Sequence, residues 1–343
     1  MTAERPRLRD LGLHLGRLPE GRTDSIRDIP GLEVGHVTLV SGEGPLVVGR
    51  GPVRTGLTVL VLPGEGPWPA ACHIINGFGK TTGLLQVAEL GELESPIFLT
   101  NTLSVGAVLE GYLEHLRSEA DFDADTARRN VVVAECNDGY LNDLWGLHVR
   151  PHHVREALAD ARRGTSPTDG SIGAGCGMSA FGHKGGLGSA SRRLPGGSAV
   201  AALVLLNCGE RADLRFWGRP LFTDGQRDPV LPPEGSVIVV VVTDAKIGHP
   251  TLDRMARRAT HGLARVGATS QSGSGDIALA VVAGNREPPQ VNDLFLGTVE
   301  AVEAAVWNAL LAAGAMDGRD GHRREALDAA RLVRARGTNE AGT

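Results

Sequence analysis

The sequence predicts an α/β protein whose β-sheets are covered on both faces. Short runs of Val, Leu and Ile alternate with longer stretches in which apolar residues recur every three or four positions, the periods of strands and amphipathic helices. Residues 199–206 and 237–242 are apolar on both faces, which is typical of strands inside a layered structure. Only 4% of residues are aromatic and 47 are Gly, so we expect a core of Val, Leu and Ala with close backbone approach.

The individual elements follow from the same two periods. Strands are predicted where apolar residues form short runs, at residues 57–62, 131–133, 199–206, 237–242 and 277–282. Helices are predicted where apolar residues recur at helical spacing, at residues 84–92, 105–119, 154–162, 251–265 and 294–313. From about residue 317 the chain is polar, with a further helix predicted at 323–334 and a disordered tail at about 336–343.

Charge and cysteine content exclude several classes of function. The net charge of -5 and the isoelectric point near 6.1 argue against nucleic acid, which is bound by clustered Lys and Arg. Four widely spaced Cys without a CxxC pair indicate neither disulfides nor a zinc site, and His148, His152 and His153 are expected on the surface because no HExxH accompanies them. With no secretory signal and no apolar run near ~18 residues, we expect a cytoplasmic protein with no metal, cofactor, nucleic-acid or membrane partner.

Two Gly-rich segments invite comparison with nucleotide-binding loops, and neither completes the motif. Residues 77–82 read GFGKTT, but Ile74 stands where a P-loop requires its first Gly, and its Cβ would crowd the phosphates. Residues 173–178 lack the last Gly of a dinucleotide fingerprint, and the segment KGGLG follows at 184–188. Such loops indicate backbone that approaches a ligand or another strand closely; tight turns between strands are an equal alternative.

The most informative motif is Asn207-Cys208, which ends the apolar run 199–206. A thiol at this position can attack the preceding carbonyl, shift the acyl group from nitrogen to sulfur, and release a new N-terminus after hydrolysis. The freed α-amino group, with an unperturbed pKa of about 7.7–8.0, is then a base on the same residue as the nucleophile. The alternative is a core Cys, since free Cys is among the most buried residue types.

Polar clusters follow two other predicted strands, at the place where α/β proteins put their chemistry. Asn137 lies after the strand at 131–133, and Asp244 lies after the strand at 237–242. We expect Asp244 to orient the new amine and Asn137 to donate its amide to an oxyanion. A helix cap for Asp244 and an Asn-Asp-Gly turn for Asn137 are the alternatives. The segment 270–276 is a secondary source of a hydroxyl group, or a turn before the next strand.

Long blocks of the chain resemble the self-processing L-aminopeptidase/D-esterases and β-aminopeptidases of peptidase family S58, which are related to nylon-oligomer hydrolases. Because several blocks occur in the right order over nearly the whole chain, they are far more specific than any single motif. The blocks are GLEVGHVTL at 31–39, TGLTVLVLP at 55–63, NGFGKTTGLLQVAELGELESPIFLTNTLSVG at 76–106, ECNDGYLND at 135–143, GSIGAGCGM and HKGGLGSASR between 170 and 192, LLNCG at 205–209, SVIVVVVTDA at 236–245 and SGSGDIALA at 272–280.

This resemblance implies a four-layer αββα sandwich of the N-terminal-nucleophile-hydrolase type, similar to the ornithine acetyltransferases, as one catalytic domain over residues 1–343. It also implies self-cleavage before Cys208, giving subunits 1–207 and 208–343, and aminopeptidase or amidase action on peptides, amides or esters. Related enzymes form tetramers of processed heterodimers, so a homotetramer is expected. Family members process before Ser or Thr, so Cys208 is a departure that thiol nucleophilicity allows; a cut before Ser198 is a competing possibility.

The resemblance also implies which groups surround the nucleophile. Family members place an aromatic oxyanion donor in the segment that matches 101–106, and this chain has no aromatic residue there. An Asn in the Gly-rich loop of related members matches Ser171 or Cys176. The missing donor motivates an alternative function, a non-catalytic scaffold that binds a small amine or peptide; acyl transfer to an amine is a third. The implied oxyanion and substrate-pocket residues are Asn101, Ser104, Ser171, Gly175 and Cys176.

Overall fold

The computed structural model describes residues 5–124, 129–223 and 235–340. Its helices are α1 (Leu84–Leu90), α2 (Val105–Arg117), α3 (His152–Arg163), α4 (His249–Val266), α5 (Val291–Ala312) and α6 (Ala330–Glu340). Its strands are β1 (Glu33–Ser41), β2 (Val53–Val61), β3 (Trp68–Gly77), β4 (Glu92–Leu93), β5 (Ile97–Asn101), β6 (Val132–Cys136), β7 (Ser179–Ala180), β8 (His183–Lys184), β9 (Gly186–Arg193), β10 (Ala199–Asn207), β11 (Arg215–Phe216), β12 (Arg219–Pro220), β13 (Ser236–Ala245), β14 (Gly275–Arg286), β15 (Met316–Asp317) and β16 (Arg323–Arg324).

Two sheets form the centre of the molecule. The first has four strands in the order β1-β2-β5-β6, and the second has six in the order β4-β3-β14-β13-β10-β9. Neighbouring strands are antiparallel except for the pairs β5–β6 and β13–β14, which are parallel. The remaining strands form short two-stranded hairpins, so these two sheets carry the architecture.

Three separate apolar cores define four layers. One core lies between α2, α3 and the outer face of the four-stranded sheet, and another lies between the six-stranded sheet and α4, α5. The third lies between the two sheets. Strand β10 illustrates how a sheet is covered on both faces. Val200, Ala202 and Val204 face the helices, while Leu203 and Leu205 face the four-stranded sheet. Since side chains of a strand alternate between faces, the predicted four-layer αββα sandwich is confirmed.

Helix α5 is the central helix of the outer layer. The sequence predicted no apolar segment long enough to span a membrane, but the 22 residues of α5 are long and apolar enough to do so. In this fold, however, 94% of the most apolar window of the helix is buried. Gly188 of β9 allows the helix to approach closely, because a Cβ there would lie 2.1 Å from the carbonyl oxygen of Ala305. The apolar surface of α5 is thus accounted for by packing on β9 and β10.

Several element predictions need correction. Strands β1, β3, β5 and β9 were not predicted: Gly, His, Thr or Ser interrupt the apolar residues of β1, β3 and β9, and β5 has an apolar run of only three residues, Ile97 to Leu99. The predicted helix at 323–334 is displaced: residues 323–324 form β16, and α6 runs over Ala330–Glu340. The segment expected to be a disordered tail therefore begins inside α6, and its residues 341–343 lie outside the described residues.

The Gly-rich segment at 173–178 packs against strands. Gly173–Gly175 is a short 3-10 helix, in which the N–H of Gly173 donates to Thr38 Oγ1 and that of Ala174 to Thr58 Oγ1. A Cβ on Gly56 would lie 2.4 Å from the carbonyl oxygen of Gly173. Close approach to strands β1 and β2 explains the glycines here.

Candidate active site

Polar residues from both sheets meet at the carboxyl end of β10. Asn207, the last residue of β10, accepts the N–H of Ser179 at its Oδ1 (2.8 Å) and donates from Nδ2 to the carbonyl oxygen of Asn137 (2.9 Å). The N–H of Asn137 donates to the hydroxyl of Ser236 at the start of β13 (3.3 Å). Asn207 is thereby fixed by hydrogen bonds to segments that follow β6 and precede β9.

Cys208 follows directly and is 8% exposed. Its carbonyl oxygen accepts the N–H of Phe181 at 3.2 Å. Gly209 has a φ of +93°, and a Cβ there would lie 2.3 Å from the Phe181 ring, so this turn requires Gly. Burial raises the pKa of the Cys208 thiol well above its usual range, and the nearby Asp276 carboxylate raises it further. The thiol is therefore protonated near neutral pH and needs a base to act as a nucleophile.

Ser274 and Asp276, around the start of β14, are the polar side chains placed beside Cys208. Ser274 Oγ donates a short hydrogen bond to Asp276 Oδ1, and both residues are 1% exposed. A Cβ on Gly235 would lie 3.2 Å from Ser274 Oγ, 3.4 Å from Cys208 Cβ and 3.5 Å from the Asn207 carbonyl oxygen. Burial raises the pKa of Asp276, and hydrogen bonds from Ser274, Ser270 and the Val237 N–H oppose this. The secondary candidate segment 270–276 thus places a hydroxyl and a carboxylate in the neighbourhood of Cys208.

A small cavity of about 30 Å³ borders Cys208. This volume accommodates roughly two water molecules. Its wall carries both signs of charge, from Glu210 and Arg324. The lining residues are Ser179, Ala180, Phe181, Gly182, Asn207, Cys208, Gly209, Glu210, Gly235, Gln271 and Arg324.

Ser179 is a candidate that the sequence alone did not indicate. It lines the cavity and is 5% exposed, and its Oγ has no hydrogen-bond partner among the described residues. Leaving a buried hydroxyl unpaired costs about 1–3 kcal/mol, so such a group calls for an explanation. A Ser in the two-residue strand β7 carries no sequence signal; only its placement beside Cys208 marks it.

Asp244 is not at this site, which corrects the predicted role of this residue. Because β10 and β13 are antiparallel, Asn207 pairs with Ser236 while Val200 pairs with Thr243. Asp244 thus lies near the amino end of β10, about 30 Å from Cys208 at the rise of a strand. Its Oδ1 accepts the N–H of Ala199 (2.7 Å) and its Oδ2 pairs with Arg286 (2.9 Å), so it orients neither the Cys208 thiol nor its amine. It does not cap α4, which starts after Gly248.

The Gly-rich loop does not supply the predicted backbone oxyanion donors. The N–H of Gly175 donates to the Ile172 carbonyl and that of Cys176 to the Gly173 carbonyl, so both are used within the loop. Cys176 is fully buried, and burial raises the pKa of its thiol to about 11. Ser171 lines a different cavity, beside the Gly314 carbonyl.

No residue of the segment at 101–106 lines the cavity beside Cys208. Asn101 accepts the N–H of Leu103 (3.1 Å) and donates to Thr55 Oγ1 (2.7 Å), so it caps a 3-10 helix. Ser104 is 1% exposed, and its Oγ has no partner among the described residues, yet it does not line the cavity beside Cys208. Asn137 differs, since its backbone holds Asn207 while its Oδ1 accepts the Gly139 N–H in a turn.

A buried polar cluster supports the Gly-rich loop from behind. Lys184 Nζ donates to the carbonyl oxygens of Gly175 (3.0 Å) and Gly185 (2.7 Å). Burial lowers the pKa of Lys184 to about 7, although the negative charges of Cys176 and Asp138 act to raise it. Burial also raises the pKa of Asp138 to about 7. Burial thus acts against the charged form of both groups, close to the segment that holds Asn207.

One group of side chains in the described part of the chain has the spacing of metal ligands. His152, His153 and Glu156 place ligand atoms within 4.8 Å of one another on helix α3. However, His153 Nδ1 accepts the N–H of Arg150 at 2.9 Å, which leaves the proton of the neutral ring on Nε2 and no lone pair for a metal. The arrangement does not favour a metal, and α3 lies on the outer side of the four-stranded sheet.

Comparison with known proteins places this architecture in a family. The model of peptidase family S58 matches residues 24–324. The β-peptidyl aminopeptidase BapA of Sphingosinicella microcystinivorans is 37% identical over 96% of this chain and 92% of its own length. That of Sphingosinicella xenopeptidilytica is 36% identical over 91% of this chain and 86% of its own length.

Solved structures agree in fold. The PH0078 protein of Pyrococcus horikoshii has a TM-score of 0.88 and 42% identity, and a β-aminopeptidase of Burkholderia sp. has 0.86 and 38%, each covering 97% of this chain and 99% of its own. The L-aminopeptidase D-Ala-esterase/amidase of Ochrobactrum anthropi, described as a variant of the Ntn hydrolase fold, has a TM-score of 0.80 and 31% identity over 97% of this chain and 99% of its own. This chain is therefore a hydrolase that belongs to peptidase family S58.

Proposed function

We propose that this protein is a self-processing aminopeptidase that cleaves its own chain before Cys208 and then uses Cys208 to remove N-terminal residues from peptides, amides or esters. The observation that carries the proposal is the placement of Cys208 at the end of β10 beside Ser274 and Asp276. The names of the relatives, which are β-peptidyl aminopeptidases and an L-aminopeptidase, support action at the amino end of the substrate.

Self-cleavage begins with attack of Cys208 Sγ on the carbonyl carbon of Asn207. The C–N bond to Cys208 breaks, the nitrogen takes up the thiol proton, and a thioester joins Asn207 to Cys208 Sγ. Water hydrolyses the thioester, which leaves a carboxylate on Asn207 and a free thiol and amine on Cys208. The hydrogen bonds that hold the Asn207 side chain on two sides fix the carbonyl near the thiol, and positioning of this kind supplies much of a rate enhancement.

In the mature enzyme the freed amine of Cys208 acts as the base. It takes the proton of its own thiol as Sγ attacks the substrate carbonyl, and returns a proton to the leaving amine. The carboxylate of Asp276 accepts a hydrogen bond from Ser274 and acts electrostatically on Cys208, which supports a role in holding the ammonium form of this amine. We assign to Asp276 the role that the sequence had suggested for Asp244, and to the hydroxyl of Ser179 a hydrogen bond to the oxyanion. The amide of Asn137 remains a second proposed donor.

Substrate recognition at the amino end fits the acidic wall of the cavity. Glu210, two residues after the nucleophile, lines the cavity, and its Oε1 accepts a hydrogen bond from Gln271 Nε2. A carboxylate on the wall of this cavity can form an ion pair with the ammonium group of a substrate. We further propose that processed heterodimers associate as a homotetramer, which sedimentation of the processed protein would test.

The first test is the denatured mass spectrum of freshly purified protein. We expect two fragments that sum to the full chain plus one water, the second beginning at Cys208. A second fragment beginning at Ser198 would move the nucleophile to the other end of β10. A single intact mass together with no turnover of aminoacyl amides would contradict the proposal and favour a scaffold that binds without catalysis.

A further inference from the structure

Asn76, near the carboxyl end of β3, is a polar side chain that the proposed chemistry does not use. Its Nδ2 lies within hydrogen-bond distance of three backbone carbonyl oxygens, those of Gln271 (3.0 Å), Ser272 (3.1 Å) and Ser274 (2.5 Å). An amide group carries its two donor hydrogens on nitrogen and none on oxygen, so the nitrogen must face these acceptors. The side chain therefore ties β3 to three residues of the loop that precedes β14.

The pairing of β3 with β14 places Asn76 directly opposite Asp276. The register shifts at this point, because Ile277 pairs with Ile74 and leaves Ile75 as an extra residue in β3. Such bulges bend a strand locally and are frequent beside active sites, where they re-aim a side chain. In this fold the bulge adjoins the residue whose side chain bonds to the loop.

The Gly-rich segment at 77–80 also contacts this loop. A Cβ on Gly275 would lie 2.8 Å from the Phe78 carbonyl oxygen, so the two backbones approach each other closely. Glu135 bonds to the segment, since its Oε1 accepts the Lys80 N–H at 2.7 Å. The loop is thus held both by the Asn76 side chain and by the backbone that follows it.

The loop carries one of the groups placed beside the nucleophile. Ser274 Oγ bonds to the carboxylate of Asp276, and a Cβ on Gly235 would lie 3.2 Å from Ser274 Oγ and 3.4 Å from Cys208 Cβ. The carbonyl oxygen of the same Ser274 accepts the shortest of the three Asn76 hydrogen bonds. Fixing this carbonyl fixes the backbone from which the Ser274 hydroxyl projects.

We propose that Asn76 is a positioning residue, which fixes the 271–274 loop so that the Ser274 hydroxyl stays bonded to Asp276 beside Cys208. This inference rests on the proposed function of Cys208. Without the amide, three carbonyl oxygens lose a donor and the hydroxyl is no longer held at one place. Because a shift of about 1 Å in a positioned group can lower a rate about 10²-fold, the effect should fall on the catalytic step and leave substrate affinity nearly unchanged.

The test is a double-mutant cycle on the hydrolysis of alanine amide. We expect N76A to lower kcat about 10- to 100-fold and to change KM less than about 3-fold. In an S274A background the same substitution should have no further effect on kcat, because Asn76 acts through Ser274.

N130A is the matched control for this cycle. Asn130 Nδ2 also donates to a backbone carbonyl oxygen outside the regular elements, that of Gly83 at 2.8 Å, and neither residue lines the cavity beside Cys208. This variant should keep the wild-type kcat.

Hydrogen exchange gives a second measurement that needs no substrate. The Ser274 N–H donates to the Gln271 carbonyl oxygen (2.9 Å) and the Gly275 N–H to the Gly235 carbonyl oxygen (3.3 Å). Both amides should exchange faster in N76A and at the wild-type rate in N130A.

Three results would overturn the inference: wild-type kcat in N76A, an equal loss of kcat in the wild-type and S274A backgrounds, or unchanged exchange at Ser274 and Gly275. If N76A does not fold, N76Q keeps the amide one methylene further out, and it should show a smaller loss of kcat with faster exchange at both amides. A wild-type protein that neither cleaves itself nor turns over alanine amide would instead contradict the proposed function. In that case, or if S274A is inactive, hydrogen exchange decides on Asn76.

Discussion

The two ends of strand β10 present similar residues in different surroundings. At the amino end, Ser198 is fully buried with an Oγ that has no partner among the described residues, and Asp244 stands beside it. At the carboxyl end, Cys208 stands beside Asp276. The amino end also borders a cavity of about 1180 Å³, lined by Trp68, Asp244 and Arg286 among others, against about 30 Å³ at Cys208. Of these two ends, cavity size alone would favour the amino end, whereas we propose the chemistry at the carboxyl end.

The difference lies in what each carboxylate already does. Asp244 bonds to a backbone N–H and to Arg286, so its acceptor capacity is committed to holding β10 and β14 together. Asp276 is oriented by Ser274 next to a thiol, and segments of both sheets meet at Asn207. Chemistry in this fold is expected where the two sheets converge on a strand end, and a large cleft by itself does not indicate it.

The largest expected effect comes from replacing each of the two candidate nucleophiles, Cys208 and Ser198, by Ala. C208A should remain one intact chain and lose at least about 10⁴-fold in kcat/KM, since removal of a covalent nucleophile leaves only binding contributions. S198A should process and turn over normally, because its hydroxyl lies about 33 Å away along the strand. Mass spectrometry and aminoacyl-amide kinetics on both variants decide between the ends; normal processing of C208A would overturn the assignment.

The two carboxylates form the next pair. D276N keeps the shape of the side chain but cannot hold a charged amine, so we expect kcat/KM to fall about 10³-fold, within the range of acid–base catalysis. D244N should keep near-wild-type kinetics and lose about 1 kcal/mol or less of stability, because its partner Arg286 is half exposed. Kinetics and urea unfolding of both variants test this pair, and equal kinetic defects would refute the distinction.

A smaller effect is expected for the proposed hydroxyl donor. S179A should lower kcat about 10²-fold with little change in KM, because an oxyanion donor acts mainly in the transition state. S171A is the matched control, since Ser171 was a predicted pocket residue and lies in a different cavity; it should be kinetically silent. A rise in KM without loss of kcat in S179A would indicate substrate binding in place of oxyanion stabilisation.

A sheet covered on both faces was predictable from sequence because β10 and β13 are apolar on both faces, whereas the four-layer order was implied by the resemblance to peptidase family S58. Strand β9, with the sequence GLGSASRR, could not be recognised as a strand, because its Gly and Ser residues are required by the close contact with α5 and not by strand periodicity. That contact exists only in the folded chain.

The site was predictable only in part, for a physical reason. Asn207 and Cys208 are adjacent in sequence, so their chemistry is a local property. The choice between Asp244 and Asp276 depends on the direction of β13 relative to β10, because Asp244 lies at the end of β13 whereas Asp276 lies near the beginning of β14. A single sequence does not show how the strands pair, so this direction could not be predicted. Ser179 and Arg324 lie in short hairpins whose sequences have no strand periodicity, so their places at the cavity could not be predicted either.

The smallest expected effect concerns pH and the buried cluster behind the Gly-rich loop. Burial raises the pKa of Asp138 to about 7, above an unfolded value of about 3.9. Between these values the folded state holds a proton that the unfolded state has lost, so the contribution of Asp138 to stability declines as the pH rises from about 4 to 7. D138N should therefore match wild type at pH 4 and unfold at higher urea at pH 7.5.

Asp143 provides the matched control with the opposite sign. Burial raises its pKa, but hydrogen bonds from His148 and from the Gly49 and Gly51 N–H groups outweigh this and leave it below the ordinary value. Its stabilisation is present above the unfolded pKa and is lost on acidification, so D143N should weaken the fold most at neutral pH. One group contributes at most about 1.4 kcal/mol per pH unit at 25 °C, which urea midpoints resolve. A D138N curve parallel to wild type from pH 4 to 7.5 would show that folding does not shift the pKa of Asp138 upward, which would contradict this prediction.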